Sequence, residues 1–151
     1  MRKPPTWISK QAVLAIHGRL LAEHGGAPGL LDEGLRDAAL ASPKNHFAYE
    51  RADILRLAAA YAHALTQNHP FADGNKRVAL TVAGVFLELN GFRLDASEQH
   101  AAQATRALSS REIDEVEFAA WLRTCCSKLH VDRRRAPRKK AARRRTTRKK
   151  K

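Results

Sequence analysis

The chain has 151 residues, 44% of them hydrophobic, and a net charge of +13, which suits one domain with a real core. No apolar run approaches the length of a membrane-spanning helix, and none behind Met1-Arg2-Lys3-Pro4-Pro5 makes a secretory signal. Two adjacent cysteines, Cys125 and Cys126, cannot form a disulfide framework or a metal site between them, so buried thiols and a reducing cytoplasm are expected, with no membrane partner.

Taken in order, the chain predicts helices. Thr6 or Ser9 can cap a first one, apolar at Val13, Leu14, Ile16, Leu20 and Leu21 and ended by Gly25-Gly26. Asp32 then caps a short helix with Leu35, Ala38, Ala39 and Leu40 on one face, stopped before Pro43; Lys44 to Glu50 reads as a loop. A third helix spans about Ala52 to Gln67 and is rich in alanine, which lets neighbours approach closely. After a polar loop, a fourth runs from Asn75 to Asn90, apolar on nearly every side, as a core helix is. Phe92-Arg93-Leu94 suits a brief extended piece. Asp95 or Ser97 caps a fifth helix to about Leu108, and a last one carries Val116, Phe118, Trp121 and Leu122 to about Leu129. With almost no period-two alternation, the expected fold is all-α: a compact bundle of about six helices around a buried central helix.

The charge is confined to one end. Residues 133–151 hold 13 Lys or Arg and no acid, whereas residues 1–132 are neutral. A helical domain over residues 1–131 followed by a disordered Lys/Arg-rich tail over 132–151 is therefore expected. The tail suits salt-sensitive, non-specific nucleic-acid binding, with solubility or contact to an acidic partner protein as the other readings.

The stretch His69-Pro70-Phe71-Ala72-Asp73-Gly74-Asn75-Lys76-Arg77 concentrates the chemistry. Pro70 and Gly74 favour a loop that feeds into the fourth helix. The first turn of a helix leaves backbone N–H groups unpaired and favours an anion, yet here it carries Lys76 and Arg77, which oppose the helix dipole. A bound phosphate removes that conflict. His69 is the candidate general base. Asp73 is either an orienting acid, an N-cap, or both. The remaining histidines show no metal-ligand spacing, and packing or surface roles are expected for them.

These nine residues meet every position of the pattern His-x-Phe-x-Asp/Asn-Gly/Ala-Asn-Lys-Arg, and in this the chain resembles the death-on-curing (Doc) branch of the Fic/Doc family. The similarity extends over about residues 10 to 125, through Glu23 to Gly26, Leu40 to Pro43, Leu57 to Tyr61 and Val85 to Gly91. The Fic branch has Gly in place of Lys76 and a further Arg in place of Leu80. The resemblance implies an ATP-dependent kinase toxin that moves the γ-phosphate onto a threonine of elongation factor Tu and blocks translation, restrained by a cognate antitoxin. It implies His69, Asp73 and Lys76 as catalytic residues, Gly74, Asn75, Lys76 and Arg77 as the phosphate and nucleotide site, Phe71 as the buried anchor of the loop, and Asp73 as a ligand for Mg²⁺. AMP transfer is the alternative reaction, and a domain that no longer catalyses but binds antitoxin and DNA is the alternative role. The chain departs from many relatives at Leu31-Asp32, where they have Arg-Asp, and at Thr81, where some have Asn; Arg36 lies a turn beyond the missing arginine.

Overall fold

A computed structural model describes residues 3–129. They form six helices and a two-stranded ribbon: α1 (Lys10–His24), α2 (Glu33–Glu50), α3 (Ile54–Asn68), α4 (Asn75–Leu89), β1 (Phe92–Leu94), α5 (Glu98–Ser109), α6 (Glu115–Cys125) and β2 (Cys126–Lys128). The all-α architecture expected from the sequence is what is found. The domain boundary expected at residue 131, and the basic tail with its expected nucleic-acid contact, lie outside the described residues.

The buried central helix is α3, not the fourth helix that the apolar pattern singled out. Ten of its fifteen residues are buried, five of them alanines that let α2, α4, α5 and α6 close around it. Helix α4 buries one face through Val78, Ala79, Val82, Ala83, Phe86 and Leu87, while Leu89 is half in solvent. Near-continuous apolar sequence does not distinguish a helix surrounded on all sides from one that lies in the second shell of the bundle. Small alanines mark the former better than large side chains do, because close approach on every side requires them.

Helix α2 runs straight through Pro43 to Glu50, so neither the stop before Pro43 nor the Lys44–Glu50 loop is present. A helix-interior proline costs about 3 kcal/mol, and tertiary contacts to the second half of the helix offset that. Phe47 meets Trp7 edge-on at 5.8 Å, Lys44 lies over the same indole, and His46 contacts Glu115 of α6. Arg51, in the left-handed region at φ 54°, finally ends it.

The last helix also stops short of Leu129. Cys126–Lys128 turns extended and pairs antiparallel with β1, Phe92 opposite Lys128 and Leu94 opposite Cys126. A three-residue strand has no readable periodicity, so only its partner β1 was visible in sequence. The cysteines are half-buried rather than fully buried. Burial first, and then the neighbouring Cys125 and Asp95, push the Cys126 thiol up to about 12, and burial raises Cys125 as well, which disfavours the thiolate at both. Among the described residues no helix is long and apolar enough to cross a membrane.

Candidate active site

The loop between α3 and α4 is held from three sides. Along one side the Gly29–Asp32 segment runs antiparallel to it: Leu31 and Asp32 N–H groups donate to the Pro70 carbonyl at 2.7 and 3.3 Å, and Ala72 N–H donates to the Gly29 carbonyl at 3.1 Å. From beneath, His17 of α1 stacks on Phe71 with ring centroids 3.9 Å apart and donates from Nε2 to the Asp73 carbonyl at 2.9 Å. Because a carbonyl only accepts, that nitrogen carries the proton. From within, Asn75 folds back on the loop. Its Oδ1 accepts from Phe71 N–H at 3.0 Å and its Nδ2 donates to the Phe71 carbonyl at 2.9 Å. Phe71 itself is 1% exposed.

His69 ends α3 in the left-handed conformation, φ 46° and ψ 56°. Arg51 terminates α2 in the same way, so this backbone state is a helix stop rather than strain peculiar to the site. It lifts the imidazole clear of the bundle, and His69 is exposed at the rim of a cavity. Asp73 is not the N-cap of α4. That position is Gly74, at φ 83°, which has no side chain to offer the helix. The Asp73 carboxylate instead accepts from the Gly74 N–H at 2.8 Å and lies 3.4 Å from the Ala27 N–H. It fits there because residue 26 is glycine: a Cβ at Gly26 would come within 2.7 Å of Asp73 Oδ2.

Helix α4 therefore begins with no side-chain cap and no acid in its first turn. Its first internal hydrogen bond is from Val78 N–H to the Gly74 carbonyl, at 2.9 Å. That leaves the N–H groups of Asn75, Lys76 and Arg77 without an acceptor among the described residues, as an uncapped helix start must. The Lys76 and Arg77 side chains are exposed and make no ion pair with any described residue.

These groups converge on a cavity of about 500 Å³. The loop, from His69 to Arg77, and Leu80 of α4 form most of its wall; Ala102, Thr105 and Arg106 of α5 complete it. The predicted residues His69, Asp73, Gly74, Asn75, Lys76 and Arg77 are thus brought together around one space, and Phe71 sits below it. Asn75 reaches it differently from the expectation. Its amide is engaged with the Phe71 backbone, so what it offers an anion is its N–H. Neither the α5 wall nor the part played by His17 is visible in the sequence, since neither lies near the motif and a single histidine or arginine on a helix carries no pattern. Arg36 does not make up for the arginine absent at Leu31: it is buried on α2, with Nε 3.1 Å from Asp37, and does not line the cavity.

No group of three or more His, Cys, Asp or Glu side chains among the described residues could hold a metal ion by itself. A divalent cation that arrives with phosphate oxygens needs less from the protein, commonly one or two carboxylates. Asp73, the carboxylate that lines the cavity, fits that requirement.

Comparison with known proteins agrees with this geometry. The profile of the Fic/DOC family matches residues 7–87, which include the whole loop. The chain is 33% identical over 117 residues to the protein kinase doc of Escherichia phage P1, an alignment that covers 77% of this chain and 92% of that protein. It is 36% identical over 104 residues to the toxin Doc of Mycolicibacterium smegmatis, covering 65% of this chain and 78% of that one. With the loop, its helical support and these relatives in agreement, the chain belongs to the Fic/DOC family.

Proposed function

We propose that this chain is a Doc-like toxin of a toxin–antitoxin pair, a protein kinase that transfers the γ-phosphate of ATP to a threonine hydroxyl of a translation factor similar to elongation factor Tu. The observation that carries the reading is the cavity, where unpaired cations and uncapped N–H groups face a space rimmed by a histidine. The names of the two relatives, a protein kinase and a toxin, point the same way.

In this mechanism His69 accepts the proton of the attacking hydroxyl. The oxygen forms its bond to the γ-phosphorus as the bond to the bridging oxygen of ADP breaks. Such transfers need positioning and charge neutralisation more than covalent assistance. Lys76, Arg77 and the free N–H groups of the first turn of α4 neutralise the phosphate chain. Asp73, held by the Gly74 and Ala27 N–H groups, orients the hydroxyl and is the residue that would hold Mg²⁺; the ion, when bound, draws charge from the phosphate oxygens. His17 and Asn75 keep the loop in register beneath these groups. An antitoxin segment restrains the enzyme, and the basic tail adds non-specific affinity for nucleic acid; that tail lies outside the described residues.

The test is transfer of label. The protein is incubated with elongation factor Tu and ATP labelled at the α or the γ phosphate. Transfer of γ label, lost in His69→Asn, is expected. Transfer of α label would replace phosphate transfer by AMP transfer, and no transfer together with unaffected growth on expression would leave only a binding role.

A further inference from the structure

We propose that Arg106 of α5 binds the phosphate chain of the nucleotide, from the wall of the cavity that the signature loop does not supply. The inference rests on the phosphotransferase reading above and adds to it a residue outside the motif. Arg106 is exposed, lines the cavity, and its side chain has no hydrogen bond or ion pair among the described residues. Ala102, Thr105 and Arg106 stand at the spacing that shares one helix face. Ala102 offers the cavity only a methyl group, and the Thr105 hydroxyl is turned back to donate to the Ala101 carbonyl at 2.8 Å. The guanidinium is therefore the polar group that α5 presents. Leu80 contributes no charge from α4 either.

Charge balance gives this arginine its role. Lys76 and Arg77 must also offset Asp73, and even with one Mg²⁺ bound a triphosphate brings more negative charge than they and the ion balance. A guanidinium forks two phosphate oxygens at once, which an ammonium does not. The competing explanation is that Arg106, in the last turn of α5, merely complements the helix dipole. A lysine serves that purpose equally well, so the two explanations separate on substitution.

The measurement is calorimetric affinity for ATP, ADP and AMP with Mg²⁺, for the full chain and for Arg106→Ala and Arg106→Lys. Loss of a charge-assisted bidentate contact weakens ATP binding by roughly tenfold or more in Arg106→Ala. The loss is smaller for ADP and smallest for AMP, and Arg106→Lys restores ATP binding only in part. Because the side chain is exposed and unpaired, the melting temperature stays near that of the unmodified chain; should Arg106→Ala fold poorly, Arg106→Lys still shows the ATP-selective loss. ATP affinity unchanged in Arg106→Ala, an equal loss for all three nucleotides, or full rescue by lysine would overturn the assignment while leaving the nucleotide site intact. An unmodified chain that binds no ATP would overturn the phosphotransferase reading itself, and this assignment with it.

Discussion

Two helices of this molecule begin in opposite ways. Helix α6 starts with a complete capping box, Asp114 accepting from Glu117 N–H at 2.7 Å while Glu117 accepts from Asp114 N–H at 2.8 Å. Acids fill its first turn, and one of them, Glu115, gathers Arg56 of α3 at 2.6 Å, His46 of α2 at 3.0 Å and His63 of α3 at 3.3 Å. Burial works against the Glu115 carboxylate, but His63, Arg56 and His46 outweigh it and hold the group down at about 2. Every charge there agrees with the helix dipole and has a partner. Helix α4 begins with a glycine, no acid, and two cations that oppose the dipole and have no ion-pair partner among the described residues. The first arrangement stabilises a fold. The second leaves stabilisation unrealised until an anion arrives, and such a site belongs to function.

Substitutions around the cavity at the start of α4 and at the start of α6 should accordingly separate activity from stability. The largest effect falls on activity: His69→Asn, chosen because asparagine tolerates the left-handed backbone, lowers label transfer by about 10²–10⁴-fold with little change in melting temperature. The next falls on stability. Glu115→Gln leaves Arg56, His46 and His63 without their carboxylate and destabilises by about 3 kcal/mol in urea unfolding, with ATP affinity unchanged. The same residue gives a pH signature. Since folding depresses its pKa from the usual 4.5 to about 2, its stabilisation is complete above the unfolded value and is lost as pH falls from there toward 2. Glu115→Gln should flatten that acid limb.

Smaller effects follow from the loop. Asn75→Ala removes two bonds to the Phe71 backbone, costs about 1–2 kcal/mol, and lowers transfer because the loop loses its register. Smallest in stability, and opposite in sign, is Lys76→Glu. An acid in the first turn of α4 should stabilise the domain by about 0.3–1 kcal/mol while abolishing transfer. A destabilised Lys76→Glu protein would remove the contrast between the two helix starts.

How much of this was legible in the sequence depended on the range of the forces involved. Caps are local, so Asp32 was readable from its own neighbourhood and Ser9 and Ser97 each as one of two candidates, beside Thr6 and Asp95; all three accept from a backbone N–H three residues on. The motif was readable because its nine residues are contiguous. What escaped was decided at a distance. Pro43 reads as a stop until Phe47 and His46 find Trp7 and Glu115; β2 exists only because β1 lies beside it; Asp73 passes its cap position to Gly74 because Ala27 and Gly26 make room for the carboxylate. Arg106 and His17 sit on helices remote in sequence from the loop, and only packing brings them to it.

In the proposed mechanism the uncapped start of α4 holds a triphosphate with its terminal phosphate toward His69. A crystal structure of the chain with a non-hydrolysable ATP analogue and Mg²⁺ tests this most directly. The phosphate chain is expected over the N–H groups of Asn75, Lys76 and Arg77, with the two cations turned onto it and the γ-phosphorus as the phosphate closest to His69. A nucleotide whose α-phosphate lies closest to His69, or one bound away from the first turn of α4, would contradict it.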